Sequence, residues 1–288
     1  MKNLLFLVLV LSFPVMVFSQ QKVEVVTKQY ERRIPFKNGE SIEVKGEKAN
    51  ISIEEYNGNE VVLIVTFTAR HPEKAIADME LNYMRYTFQN TKTQVQVDNY
   101  FVLPKNVKKV NSNLQAELLI QVPKGVSVKT YNYFGTTVIK NVTSGIIASS
   151  EYGSLTLENC SGPIKAQTNF SEIKIFNPTY VFILANNSEL TISGISGELN
   201  FSGENSDINV NASGIIKGSI ELKNGDIRLT GLALSKQSFE IVSNNGRIEA
   251  PVQLKTVKEN NFTKVNHQLN SALPLFKINS SFGKILIL

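Results

Sequence analysis

The sequence predicts an all-β chain: a parallel β-solenoid (β-helix) of about 18-residue coils, with an inserted short helix and extra β-strands. Three observations point there. First, a phrase of one small residue followed by alternating polar and apolar residues keeps returning. It reads GSLTL from Gly153, GPIKA from Gly162, SEIKI from Ser171, SELTI from Ser188, GELNF from Gly197, SDINV from Ser206, GSIEL from Gly218, GDIRL from Gly225 and GRIEA from Gly246. Second, the starts at 153, 162 and 171, and again at 188, 197 and 206, are nine residues apart, so aliphatic returns on aliphatic every 18. Third, the segments between phrases, such as NCSG, SGIS, FSGEN and VSNNG, are turn material in which Asn and Gly accept positive φ.

Alternation with period two puts Leu155 and Leu157, or Ile173 and Ile175, on one face of a strand. A strand of roughly five residues cannot bury such a face alone, but stacked coils spaced about 4.8 Å apart can, with hydrogen bonds running along the stack. An antiparallel sandwich is the competing architecture. Hairpin meanders vary their strand and loop lengths more, so the constant return over residues 133–250 favours the solenoid.

Taken in order, residues 1–19 (MKNLLFLVLVLSFPVMVFS) read as a secretory signal peptide, with Lys2 ahead of an apolar run from Leu4 to Val17 and cleavage near Ser19. Residues 20–70 contain an early coil, in which VKGEKANISI aligns with VKTYNYFGTTVI when Ala49 is set against Gly135. Residues 71–122 are an insertion: HPEKAIADMEL predicts one short helix with Pro72 in its first turn and Ala75, Ile76 and Met79 on one face, followed by the strands RYTFQN, TQVQVDNYF and LQAELLIQVP. Residues 123–288 are the solenoid proper, with an irregular loop at 251–273 and a C-terminal coil in which FGKILIL places Gly283 two coils beyond Gly246.

Composition narrows the function. The formal net charge of +5 falls to +4 without Lys2, and residues 133–250 carry eight Lys and Arg against eleven Asp and Glu. The one dense basic patch is Lys105, Lys108 and Lys109, without the interleaved aromatics of a nucleic-acid groove, so no nucleic-acid partner is expected. No later segment is apolar enough to span a bilayer, and the single cysteine, Cys160, allows no internal disulfide and no lipid anchor after the leader. Cys160 is read as a small buried hydrophobe rather than a nucleophile. The expected location is outside the cytoplasm: periplasm, outer-membrane-associated or cell surface.

No catalytic, cofactor-binding or metal-binding set emerges. The nonapeptide period raises the calcium β-roll, but that motif needs Gly-Gly-x-Gly-x-Asp turns and the core aspartates are only Asp207 and Asp226. His71 and His267 have no second histidine at ligand spacing. No Gly-x-Ser-x-Gly elbow, phosphate loop or dinucleotide fingerprint occurs. The position after the small residue is acidic at Glu172, Glu189, Glu198, Asp207 and Asp226, and stacking would align Glu172, Glu189 and Asp207 into an outer-face acidic column. Such a column is a candidate carbohydrate or cation site, although a solvated face also demands charge. With no Trp, sugar stacking would fall to Tyr131, Tyr133, Phe134, Tyr152 and Phe170, which are read instead as covering the junction with the inserted strands. The Asn-x-Ser/Thr matches at Asn50, Asn141, Asn159, Asn169, Asn186, Asn211, Asn261 and Asn279 are read as turn asparagines stacked in ladders.

The run PKGVSVKTYNYFGTTVI from Pro123, followed by the nine-residue phrases, resembles the auto-transporter adhesin head (GIN) domain family of exported, adhesin-like proteins from Gram-negative envelopes. The likeness extends more loosely from Ile42 and covers most of the chain after the leader. It implies a β-solenoid and an envelope setting, and it transfers no binding or catalytic residue. The leading expectation is therefore a non-enzymatic envelope interaction module with an envelope, glycan or protein ligand. The alternative is a polysaccharide-binding or polysaccharide-active protein using the acidic column.

Overall fold

A computed structural model describes residues 22–37, 39–269 and 273–288; the leader at 1–19 and its cleavage point lie outside the described residues. Among the described residues the chain is all-β apart from one helix, α1 (Lys74–Leu81), and the strands form two large sheets. Sheet 1 has 12 strands in the spatial order β1 (Glu24–Pro35), β4 (Glu60–His71), β7 (Asn113–Pro123), β3 (Ala49–Tyr56), β9 (Thr136–Lys140), β11 (Ser154–Glu158), β13 (Glu172–Phe176), β15 (Glu189–Ser193), β17 (Asp207–Asn211), β19 (Ile227–Thr230), β25 (Lys284–Ile287) and β21 (Arg247–Glu249). Sheet 2 has 13: β22 (Thr256–Glu259), β23 (Phe262–His267), β20 (Ser238–Asn244), β24 (Leu275–Ser281), β18 (Lys217–Lys223), β16 (Glu198–Glu204), β14 (Tyr180–Asn186), β12 (Pro163–Asn169), β10 (Ile146–Glu151), β8 (Ser127–Tyr133), β2 (Ser41–Glu47), β6 (Gln94–Phe101) and β5 (Met84–Asn90). The sheets are mixed. Pairing is parallel through the middle and antiparallel at β1–β4–β7, β5–β6 and β20–β23–β22.

The nine-residue phrases alternate between the sheets, which is why the beat pairs into eighteens. GSLTL, SEIKI, SELTI and SDINV lie in sheet 1, while GPIKA and GELNF lie in sheet 2. Ser154 faces Glu172, Glu172 faces Glu189, Glu189 faces Asp207 and Ile208 faces Ile227, so successive two-strand repeats are offset by 17 to 19 residues. The register stacks like on like: Leu155, Ile173, Leu190, Ile208, Ile227 and Ile285 form one fully buried column facing the interior. Each such side chain contributes about 1.5–3 kcal/mol by leaving water. The register also pairs Asn50 with Thr136, as the alignment of Ala49 with Gly135 requires.

Two corners turn the chain between sheets, and both use the left-handed region of φ. At the corner leaving sheet 1, Asn141, Asn159, Asn177 and Gly194 have φ between 54° and 69°. At the corner leaving sheet 2, the column is Lys48, Phe134, Tyr152, Phe170, Asn187, Asn205, Asn224, Phe282 and Asn245, with φ between 50° and 57°. In this second column each N–H but that of Asn245, which bonds Asn261 O in the turn between β22 and β23, bonds a carbonyl at the end of a neighbouring sheet 2 strand, as Tyr152 N does to Asn169 O at 3.1 Å. The small residue of the phrase follows immediately. Ser171, Ser188 and Ser206 turn their hydroxyls inward to backbone carbonyls, and the Ser188 N–H donates to the Ser206 hydroxyl at 3.1 Å. A Cβ added to Gly153 would collide with the backbone carbonyl of Gly135 in the repeat beneath.

Three expectations are corrected. The expected C-terminal coil does not follow Gly246 outward: β24 lies between β18 and β20, and β25 between β19 and β21, so the last two strands are inserted between earlier ones. A free sheet edge accepts any strand of matching alternation, and sequence order does not rank the candidates. Within 251–273, expected to be an irregular loop, β22 and β23 form a hairpin that extends sheet 2 from β20. The helix buries Ala77, Glu80 and Leu81; Ala75 and Met79 are exposed and Pro72 precedes the first turn.

Glu80 explains the altered helix face. Its buried carboxylate accepts the N–H of Asn111 at 3.0 Å and of Ser112 at 2.5 Å, pinning the segment that carries Lys105, Lys108 and Lys109. Burial alone would push this carboxyl up, but the hydrogen bonds from Ser112 and Asn111 outweigh it and hold its pKa below the ordinary value. A group depressed in this way stabilises the fold above its unfolded pKa, and that contribution is lost as pH falls through the folded one. Glu80→Gln is expected to cost about 1–3 kcal/mol at neutral pH, with the gap from wild type closing below about pH 4, read by denaturant unfolding across pH. A gap that is constant with pH would refute this assignment. Gly153→Val is expected to lower stability by roughly 1–3 kcal/mol or more, because backbone cannot yield to the new Cβ; an unchanged melting temperature would remove the corner constraint.

Candidate functional site

The acidic column forms on the outer face of sheet 1. Glu172, Glu189 and Asp207 occupy facing positions on β13, β15 and β17, with Asp226 and then Lys284 continuing the line. Glu198, which shares the sequence phrase, belongs to sheet 2 and pairs with Lys217 at 3.0 Å. All four column carboxylates are exposed, and two have backbone work: Asp207 accepts the Asp226 N–H at 2.9 Å, and Asp226 accepts the Lys284 N–H at 2.8 Å. Glu172 is bound by Lys174 at 2.5 Å. Glu189, Asp207, Asp226 and Arg228 border a recess of about 270 Å³, which Glu172 does not join. Among the described residues, no group of three His, Cys, Asp or Glu side chains could hold a metal ion.

The remaining sequence candidates have local partners. His71 Nδ1 meets the Glu73 N–H at 2.9 Å, and His267 Nε2 lies 2.6 Å from Leu234 O in the turn between β19 and β20. Cys160 is buried with its sulfur 3.4 Å from Glu158 O, and burial pushes its thiol up to about 11. A thiol held that high carries almost no thiolate at neutral pH.

The second surface carries rings expected to cover a junction. Phe134, Tyr152 and Phe170 do not cover the junction with the inserted strands; they stand 47%, 44% and 49% exposed. Their rings form a ladder along the corner of sheet 2. Phe134 and Tyr152 stack at 5.1 Å, as do Tyr152 and Phe170, and Tyr133 packs edge-on against Phe134 at 4.5 Å. Holding a bulky residue in left-handed φ costs about 1–2 kcal/mol each, partly offset by about 0.5–1.5 kcal/mol per stacked pair. The opposite corner makes the same turn with Asn and Gly, and this corner itself uses Asn187, Asn205 and Asn224 in later repeats. The aromatic rings are therefore not what the turn requires.

Beyond Phe170 the column continues as amides. Asn187 Nδ2 donates to Asn169 Oδ1 at 3.3 Å, and Asn224 Nδ2 to Asn205 Oδ1 at 3.2 Å. Asn169, Asn187 and Asn205 border an open polar groove of about 870 Å³ on sheet 2, lined also by Gln167, Asn186, Glu204, Glu221 and Lys223. The signal for this site was present in the sequence, since an aromatic residue directly precedes the small residue at Gly135, Gly153, Ser171 and Gly283. Periodicity alone did not say which way those rings face.

No family model matches the chain, and no curated protein matches it. Among solved structures, a candidate adhesin from Bacteroides fragilis is 13% identical, with 92% of this chain and 97% of that chain covered, at a TM-score of 0.40. A candidate lipid-binding protein from Parabacteroides distasonis is 12% identical over 90% and 96%, at 0.37. A candidate cell adhesion protein from Clostridium sporogenes is 12% identical over 90% and 99%, at 0.27. No helix among the described residues is long and apolar enough to cross a membrane.

Facing like charges repel across a parallel ladder. Replacing Glu189, which lies between Glu172 and Asp207, with Gln is expected to raise stability by about 0.2–1 kcal/mol, with the gain shrinking at high salt. Thermal unfolding at two ionic strengths checks this, and a variant less stable than wild type at low salt would show that the acidic column binds a cation or stabilises the fold.

Proposed function

We propose that this chain is an exported, non-enzymatic envelope protein, in which stacked two-strand repeats form a parallel β-solenoid that displays side-chain ladders for adhesion or envelope interaction. The observation that carries the reading is the regular outward display. Successive repeats hold equivalent residues in line, and one line presents four large rings, at Phe134, Tyr152, Phe170 and Phe282, between 44% and 56% exposed. Clustered exposed apolar side chains on a soluble surface mark interaction sites. The leader at 1–19 supports export to the periplasm, outer membrane or cell surface.

A second reading, polysaccharide-active chemistry on sheet 1, draws on the recess bordered by Glu189, Asp207 and Arg228. The exposed, backbone-bonded carboxylates there lack the burial that would raise one of them into a general acid.

Cell fractionation with surface proteolysis, followed by binding of the purified protein to cells and matrix proteins, tests the leading reading. Recovery outside the cytoplasm with saturable binding is the expected result. Cytoplasmic recovery, or an envelope protein that binds none of these surfaces, would overturn it, and hydrolysis of a polysaccharide abolished by Asp207→Asn would establish the second reading.

A further inference from the structure

We propose that the aromatic corner of sheet 2 and the groove beside it bind a neutral, extended polysaccharide, with Phe170 as the stacking platform and the groove amides and carboxylates meeting sugar hydroxyls. This names the ligand class for the adhesin-like reading above and rests on it. Three features converge on one edge of the molecule. The first is the choice of residue: Phe134, Tyr152 and Phe170 occupy left-handed positions that Asn fills in later repeats and Asn or Gly fill at the opposite corner. Backbone strain kept where the fold offers an unstrained alternative points to function.

The second is the boundary at Phe170. Its ring stacks on Tyr152 with planes 5° apart, and the groove begins beside it, lined by its chain neighbour Asn169 and by Asn187, the next residue in the column. A pyranose presents a C–H face to such a ring and an equatorial rim of hydroxyls to its sides. The third is the charge of the groove. Lys223 lies 3.5 Å from Glu204, so that pair is internally compensated, and the other polar groups are mainly amides and hydroxyls. An anionic polymer would find too little positive charge there. A neutral polyol finds paired donors and acceptors, and sites built to bond hydroxyls discriminate strongly against ligands lacking them. Repeats about 4.8 Å apart rise at a spacing close to one sugar unit of an extended chain, so one strand of polysaccharide would meet several equivalent positions in turn.

Isothermal titration of the purified protein with cellohexaose, xylohexaose, laminarihexaose, mannohexaose and chitohexaose tests the proposal. At least one is expected to bind. Phe170→Asn and Tyr152→Asn, which install the residue later repeats already use, should each weaken binding tenfold or more while remaining folded at the assay temperature. Glu221→Gln, in the groove, should also weaken it, and Glu189→Gln, on the other sheet, should leave it unchanged. The proposal fails if no hexasaccharide binds, if folded Phe170→Asn binds as wild type, or if Glu189→Gln is as damaging as the corner variants. Adhesion to cells or matrix that survives both corner variants would overturn the glycan site and leave the adhesin-like reading standing. Hexasaccharide binding without adhesion would do the reverse.

Discussion

Everything in this molecule depends on the tight corner that follows each sheet 2 strand. There the chain takes one residue in the left-handed region and then one small residue whose backbone lies against that of the repeat beneath. Gly135 sits against Ala49, Gly153 against Gly135, and Gly283 against Gly225, each too close to admit a Cβ in that conformation. Where the backbone leaves more room, serine takes the place and spends its hydroxyl on carbonyls the turn would otherwise strand, as Ser171, Ser188 and Ser206 do. Buried backbone groups need partners, so the corner and the hydrogen-bonded ladder are one requirement. The aliphatic columns follow from it, because equal corners bring equal positions into register.

That regularity has two consequences on the outside. Side chains facing solvent are forced into lines whether or not alignment suits them, and the carboxylates of Glu172, Glu189, Asp207 and Asp226 show its electrostatic cost. Their exposure keeps the cost small, and part of the line caps backbone N–H groups of the next repeat. The same forced alignment turns isolated aromatic residues into a ladder. Aligned side chains can make extended surfaces without any dedicated pocket, and the corner of sheet 2 displays one such line of rings.

The ends of the stack obey different physics. A parallel stack leaves its last strands with unpaired backbone groups, an invitation to edge pairing. Here β4 and β1 close one end antiparallel, over a helix anchored through Glu80, and the hairpin of β22 and β23 extends the other. The C-terminal strands β24 and β25 each enter between two strands made earlier in the chain, so both are held on both sides. Such contacts span long separations in sequence, which makes them slow to form.

By itself the sequence determined the beat, the alternation of faces, the all-β class, the strands at RYTFQN, TQVQVDNYF and LQAELLIQVP and the match of Ala49 with Gly135. These are local patterns or repeats of local patterns, and local chemistry suffices to write them. Only the tertiary structure decided where FKINSSFGKILIL docks, because every coil carries the same alternation and any edge would accept it. It alone placed Glu198 apart from Glu172, Glu189 and Asp207, since the nine-residue phrase serves both sheets without marking which. It also decided that Phe134, Tyr152 and Phe170 face water. Sequence put an aromatic ring before Gly135, Gly153, Ser171 and Gly283; the left-handed turn aimed those rings outward, and that direction is set by backbone geometry rather than by hydrophobicity.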